Sequence, residues 1–146
     1  MGIPQRIRLE RRAGWRMPPG AVSCARPHRF GNPYLLGDVS RRFPSLTERQ
    51  CEGFVVNEFK DLVRADGKPI TDSLPSLTRG GPREPRTCQY PTIDEIRAEL
   101  GGHDLGCFCH ERPEHACHVD VLLIVANPDI SFPWEAQYGA PFQWAA

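Results

Sequence analysis

The alternation Arg6-Ile7-Arg8-Leu9-Glu10 has the two-residue period of a half-buried strand, with charged and apolar side chains on opposite faces. After the Pro18-Pro19 turn, Ala21-Val22-Ser23-Cys24 reads as a second short strand, stopped at Pro27. The next pattern is helical. Thr47 with Gln50 forms a capping box, with a competing one at Ser45 and Glu48, and Cys51, Phe54, Val55, Phe59, Leu62 and Val63 fall on one helical face up to Asp66-Gly67. Gly53 inside this helix costs about 1 kcal/mol relative to alanine, which implies close packing against a neighbour. A further helix opens at Thr92, boxed by Glu95, carries Ile93, Ile96 and Leu100, and stops at Gly101-Gly102. Leu105 to Cys109 reads as a short buried strand. Cys117 or His118 then opens another helix, apolar at Val121, Leu122, Ile124 and Val125 and closed by Asn127-Pro128.

Strand, strand, helix, helix, strand, helix is the order of a small α/β domain, a mainly parallel sheet flanked by helices and long Pro/Gly-rich loops. The expected single domain spans residues 1–127. Residues 67–91 hold five prolines and three glycines with little periodicity, so 66–91 is expected to be a mobile insertion. The tail 128–146, with Phe132, Trp134, Tyr138, Phe142 and Trp144, is expected to pack across its own domain.

Composition narrows the partners. At 146 residues with 40% hydrophobic content, one core suffices. The formal charge is zero but uneven: residues 1–42 carry nine arginines against two acids, and the remainder carries the compensating excess of acids. A basic first third can meet an anionic small molecule, nucleic acid, or the acidic rest of its own fold. No apolar run approaches membrane-spanning length, and no signal core follows Met1, so the expectation is a cytoplasmic protein without a membrane partner. In a reducing compartment the six cysteines are free, buried, metal-bound or catalytic rather than paired.

The chemistry concentrates between Cys107 and His118, which hold three cysteines and three histidines. Three readings fit. A zinc ion takes Cys107, Cys109, Cys117 and His118, four borderline-soft ligands, although C-x-C-x7-C-H is an unusual spacing. A metal-free pocket uses Cys117, His118 and Asp120 as catalytic groups: a thiolate favoured by a helix N-terminus, an acid or base titrating near neutrality, and a carboxylate to orient the imidazole or receive a proton. Arg26, Asn32 and Cys109 would then bind the ligand, Arg26 as a bidentate partner for phosphate or carboxylate. In the third reading the cysteines, with Cys24 and Cys51, are core residues, and Cys88 has no evident role. Both loops, Arg26 to Tyr34 and Cys109 to His118, follow predicted strands, so both open on the carboxyl edge where α/β sheets bind ligands.

Arg26-Pro27 with Gly31-Asn32-Pro33-Tyr34, then Cys107-Phe108-Cys109 and Cys117-His118-Val119-Asp120-Val121-Leu122, resembles an uncharacterised domain of phage and bacterial proteins. That domain carries an RP…GNP(F/Y) loop and a C-W-C…C-H-A-D-x-L signature. Phe108 stands where the pattern has Trp and Val119 where it has Ala, while His110 and His115 lie outside it. The resemblance supports the fold and the site and implies no activity. The leading expectation is a small cytosolic enzyme binding a nucleotide-like or other anionic small molecule at the strand carboxyl edge. The competing one is a zinc-stabilised module that binds protein or nucleic acid.

Overall fold

The computed structural model describes residues 2–138. Along the chain run β1 (Arg6–Arg8), β2 (Val22–Ser23), α1 (Leu36–Arg42), α2 (Glu48–Arg64), β3 (Ile70–Thr71), β4 (Ser76–Thr78), β5 (Gly81–Arg83), β6 (Thr87–Cys88), α3 (Ile93–Leu100), β7 (Leu105–Cys107) and α4 (His118–Ala126), then a 3-10 turn at Glu135–Tyr138. The architecture is α/β.

Leu105-Gly106-Cys107 is the centre of the main sheet, buried throughout, with β1 and β2 parallel on either side. The register pairs Arg6 with Leu105 and Arg8 with Cys107 on one flank, and Val22 with Leu105 on the other. Gly106 lets the Leu9 side chain pack on the strand, since a Cβ at this position would lie 2.6 Å from Leu9 Cδ2 and make that side chain shift. All three strands run the same way, so the loops leaving β2 and β7 emerge at one edge. The strand predicted to reach Cys109 ends at Cys107, leaving Cys109 in the loop.

Helix α4 lies against this sheet with all nine residues buried, and α2 and α3 pack around it. The Thr47/Gln50 capping box is present with both hydrogen bonds made. The buried face of α2 is Cys51, Val55, Val56, Phe59, Leu62 and Val63. Phe54 is not on it: the ring is exposed and packs on Phe43 with centroids 5.4 Å apart, because steps of about 100° per residue carry position 54 off the stripe on which 55, 59 and 62 fall. Gly53 is also corrected, since a Cβ there would meet nothing within 4 Å. Close packing does not explain it.

Two features escaped the sequence reading. Helix α1 buries only Val39 and has no side-chain cap, so it carries neither a stripe nor a start signal. The expected insertion holds four strands in two antiparallel pairs, β3 with β6 and β4 with β5. Strands of two or three residues are too short to show a period. Cys88, on β6, is buried in the core. In the tail Phe132 is buried, and Trp134 and Tyr138 pack against the core; Phe142 and Trp144 lie outside the described residues.

Candidate functional site

The turn from β7 into α4 gathers the sulfurs. Cys107 ends the strand, Cys109 follows in the loop and Cys117 is the N-cap of α4, its Sγ accepting from the Val119 N–H at 3.4 Å. The three Sγ atoms lie within 4.8 Å of one another, with Cys107 and Cys117 at 3.1 Å. An ion with Zn–S bonds of about 2.3 Å holds tetrahedral sulfurs about 3.8 Å apart, inside that spread. This three-cysteine cluster could bind a metal.

The thiols divide their protons unequally. Hydrogen bonds from the Cys107 and Cys117 thiols push Cys109 well down, which favours its thiolate over theirs. Cys107 is pushed up, chiefly by that hydrogen bond to Cys109, and Cys117 is pushed up by burial. The helix N-terminus, expected to favour a thiolate at Cys117, is outweighed by desolvation there. Cys109, the sulfur pushed down, is also the least buried of the three.

His118 is buried, and its pKa is lowered by that burial. Nε2 lies 2.8 Å from the Cys24 carbonyl. A carbonyl only accepts, so the proton sits on Nε2, and Nδ1 turns its lone pair toward Cys117 Sγ at 3.8 Å. A neutral imidazole with one nitrogen anchored on backbone is the usual condition of a metal-ligating histidine.

A pocket of about 370 Å³ opens over the cluster. Its lining includes Cys107, Cys109, Cys117 and His118 together with Arg26, Asn32 and Tyr34. Both suspect loops therefore border one pocket. Arg26 donates from one terminal nitrogen to the Asn32 carbonyl at 2.6 Å and the Tyr34 carbonyl at 3.3 Å, and it has no carboxylate partner among the described residues. Asn32 is buried, its Oδ1 accepting from the Tyr34 N–H at 2.9 Å, which leaves its amide donors for other use. Gly31 allows a close approach to Arg26: a Cβ there would sit 3.1 Å from Arg26 Cα, Cγ and N.

Asp120 stands elsewhere. Its carboxylate, fully buried, accepts from Arg6 at 2.8 Å, from Arg112 through both Nε and a terminal nitrogen, and from the Tyr138 hydroxyl at 2.6 Å. It therefore does not orient the His118 ring. Burial and the Asp120 charge push the Tyr138 phenol up, so it stays a donor. Arg6 also reaches the carbonyls of His110 and His115, and Arg112 lies over the Trp134 ring at 4.2 Å, so this hub ties β1, the cysteine loop and the tail to α4.

Sequence reasoning missed Arg6, Arg112 and Tyr138 as partners of Asp120, and it missed Glu52, which lines the pocket and holds His115 Nδ1 at 2.8 Å. None of them had a visible signal: the alternation that groups Arg6 with Arg8 and Glu10 predicts a solvent-facing charge, whereas the Arg6 side chain is 5% exposed. No helix among the described residues is long and apolar enough to cross a membrane. No curated protein and no solved structure matches the chain. A family described as a domain of unknown function (DUF4326) matches residues 7–128, a span that includes both loops, the cysteine cluster and α4. The chain belongs to the DUF4326 family.

Proposed function

We propose that the domain binds an anionic small molecule in the pocket between the Arg26–Tyr34 loop and the cysteine loop, above a zinc ion held by Cys107, Cys109, Cys117 and His118 Nδ1. The observation that carries this reading is the convergence of three sulfurs, one of which, Cys117 Sγ, lies 3.8 Å from His118 Nδ1. Arg26, which lines the same pocket and has no carboxylate partner among the described residues, supplies the charge for a phosphate or carboxylate. The concave shape favours a small ligand over an extended protein or nucleic-acid surface.

A second reading follows from Cys109. Without metal, its thiolate is stabilised by two neighbouring thiols and opens on the pocket, which makes it the reactive sulfur of a small enzyme. Cys117 and His118 then support it, and Asp120 serves only the fold.

Metal analysis of purified protein decides between them. About one zinc per chain, lost on Cys109→Ser or Cys117→Ser, supports the metal site. Metal-free protein in which iodoacetamide labels Cys109 ahead of the other five cysteines supports the thiolate. Neither zinc nor selective labelling returns the cluster to a packing role.

A further inference from the structure

The mouth of the same pocket carries an aromatic plate that the anion reading does not use. Phe108 sits between two cysteines of the cluster and lines the pocket, yet the residue is 37% exposed. Arg11, which also lines the pocket, lays its guanidinium over this ring at 3.9 Å from the centroid. Arg11 has no carboxylate partner among the described residues. Leu36, also exposed, and Val55 extend the apolar wall. The pocket lining thus combines donors from Arg26 and Asn32 with a ring covered by a guanidinium.

Planar rings and guanidinium planes are the two protein surfaces on which nucleobases stack, and here the two are already in contact. We infer that the ligand is a mononucleotide whose base stacks on the Phe108–Arg11 plate while its phosphate meets Arg26. The volume of about 370 Å³ lies in the range of small-molecule pockets. This inference rests on the anion-binding reading and adds the chemical class of the ligand.

Calorimetric titration of the full chain with the four common nucleoside 5′-monophosphates and with ribose 5-phosphate tests it. At least one nucleotide should bind about tenfold more tightly than ribose 5-phosphate, the size of one base–aromatic stack. Phe108→Ala should erase that advantage and leave ribose 5-phosphate binding unchanged, while Phe108→Trp should keep it. Arg26→Ala should weaken nucleotide and sugar phosphate alike. Equal binding of ribose 5-phosphate and all four nucleotides overturns the stacking inference while preserving the anion site. So does a nucleotide advantage that survives Phe108→Ala. Failure of every phosphate ligand to bind overturns the anion site and the inference together.

Discussion

His118 and Asp120 stand two residues apart on the first turn of α4, both buried, and the two sides of the helix treat them differently. Asp120 is saturated: two guanidinium groups and a phenol meet its oxygens, and every partner is anchored in turn to a loop, a strand or the tail. His118 is half committed, with Nε2 on a carbonyl and Nδ1 turned to a sulfur at a distance too long for a strong hydrogen bond. Beside it lie three thiols that bond mainly to one another. A fully satisfied buried network holds a fold together, while a cluster with unspent lone pairs is where a ligand finds something to bind.

Removing the saturated side should cost most. Asp120→Ala strands two guanidinium groups and the Tyr138 hydroxyl without their carboxylate, and should destabilise the domain by about 3–5 kcal/mol in denaturant melts. A loss below about 1 kcal/mol would mean that the hub is not structural and would break the contrast.

On the other side, stability should depend on metal. Adding zinc to chelator-treated protein should raise stability by about 2–3 kcal/mol when free zinc stands about a hundredfold above its Kd. Cys117→Ser should abolish that gain. Binding should release protons as the Cys107 and Cys117 thiols ionise, which titration in buffers of different ionisation enthalpy reads directly. Identical melts with and without zinc would sink the metal site.

Glu58 on α2 gives an intermediate case. Burial, and next the charge of Asp72, raise its pKa from 4.5 to about 7. The folded state therefore holds this proton more tightly than the unfolded chain. Its stabilising contribution is complete below about pH 4.5 and is lost as pH rises through about 7. Because the group is half exposed, the loss is discounted to about 1 kcal/mol. Glu58→Gln should flatten the stability profile between about pH 5 and 8; a profile unchanged by the substitution would show that the neighbouring arginines already neutralise it.

The smallest effect on stability belongs to the pocket wall. Arg26→Ala removes loop hydrogen bonds worth about 0.5 kcal/mol, yet should weaken binding of a phosphate ligand about tenfold or more. A large fall in melting temperature would instead make Arg26 a brace of the Asn32–Tyr34 backbone and take it out of the binding site.

Where structure has a local cause, it was legible in the chain. The Thr47/Gln50 box and the apolar stripe after it placed α2, Thr92 and Gly101 bounded α3, and the apolar run after Cys117 placed α4. Helix α1 and the four small strands were not legible, because an uncapped helix burying one valine and strands of two or three residues leave no periodic trace. Phe54 lies at the margin of that stripe, and its packing on Phe43 depends on a helix that leaves no periodic trace.

The site divides in the same way. That Cys107, Cys109, Cys117 and His118 share a neighbourhood follows from sequence proximity and one strand-to-helix turn, and parallel strands brought Arg26 to the same edge. Even the separation of His118 from Asp120 was implicit, since two helical steps turn a side chain about 200° away. What lies on each side was decided only by the fold. Arg6 and Tyr138 reach Asp120 from opposite ends of the chain, and burial rather than the helix dipole sets the Cys117 thiol. Periodicity and capping act over a few residues and can be read from them, whereas burial and charge partners depend on groups as far apart in sequence as Arg6 and Asp120, which only the packed chain brings into contact.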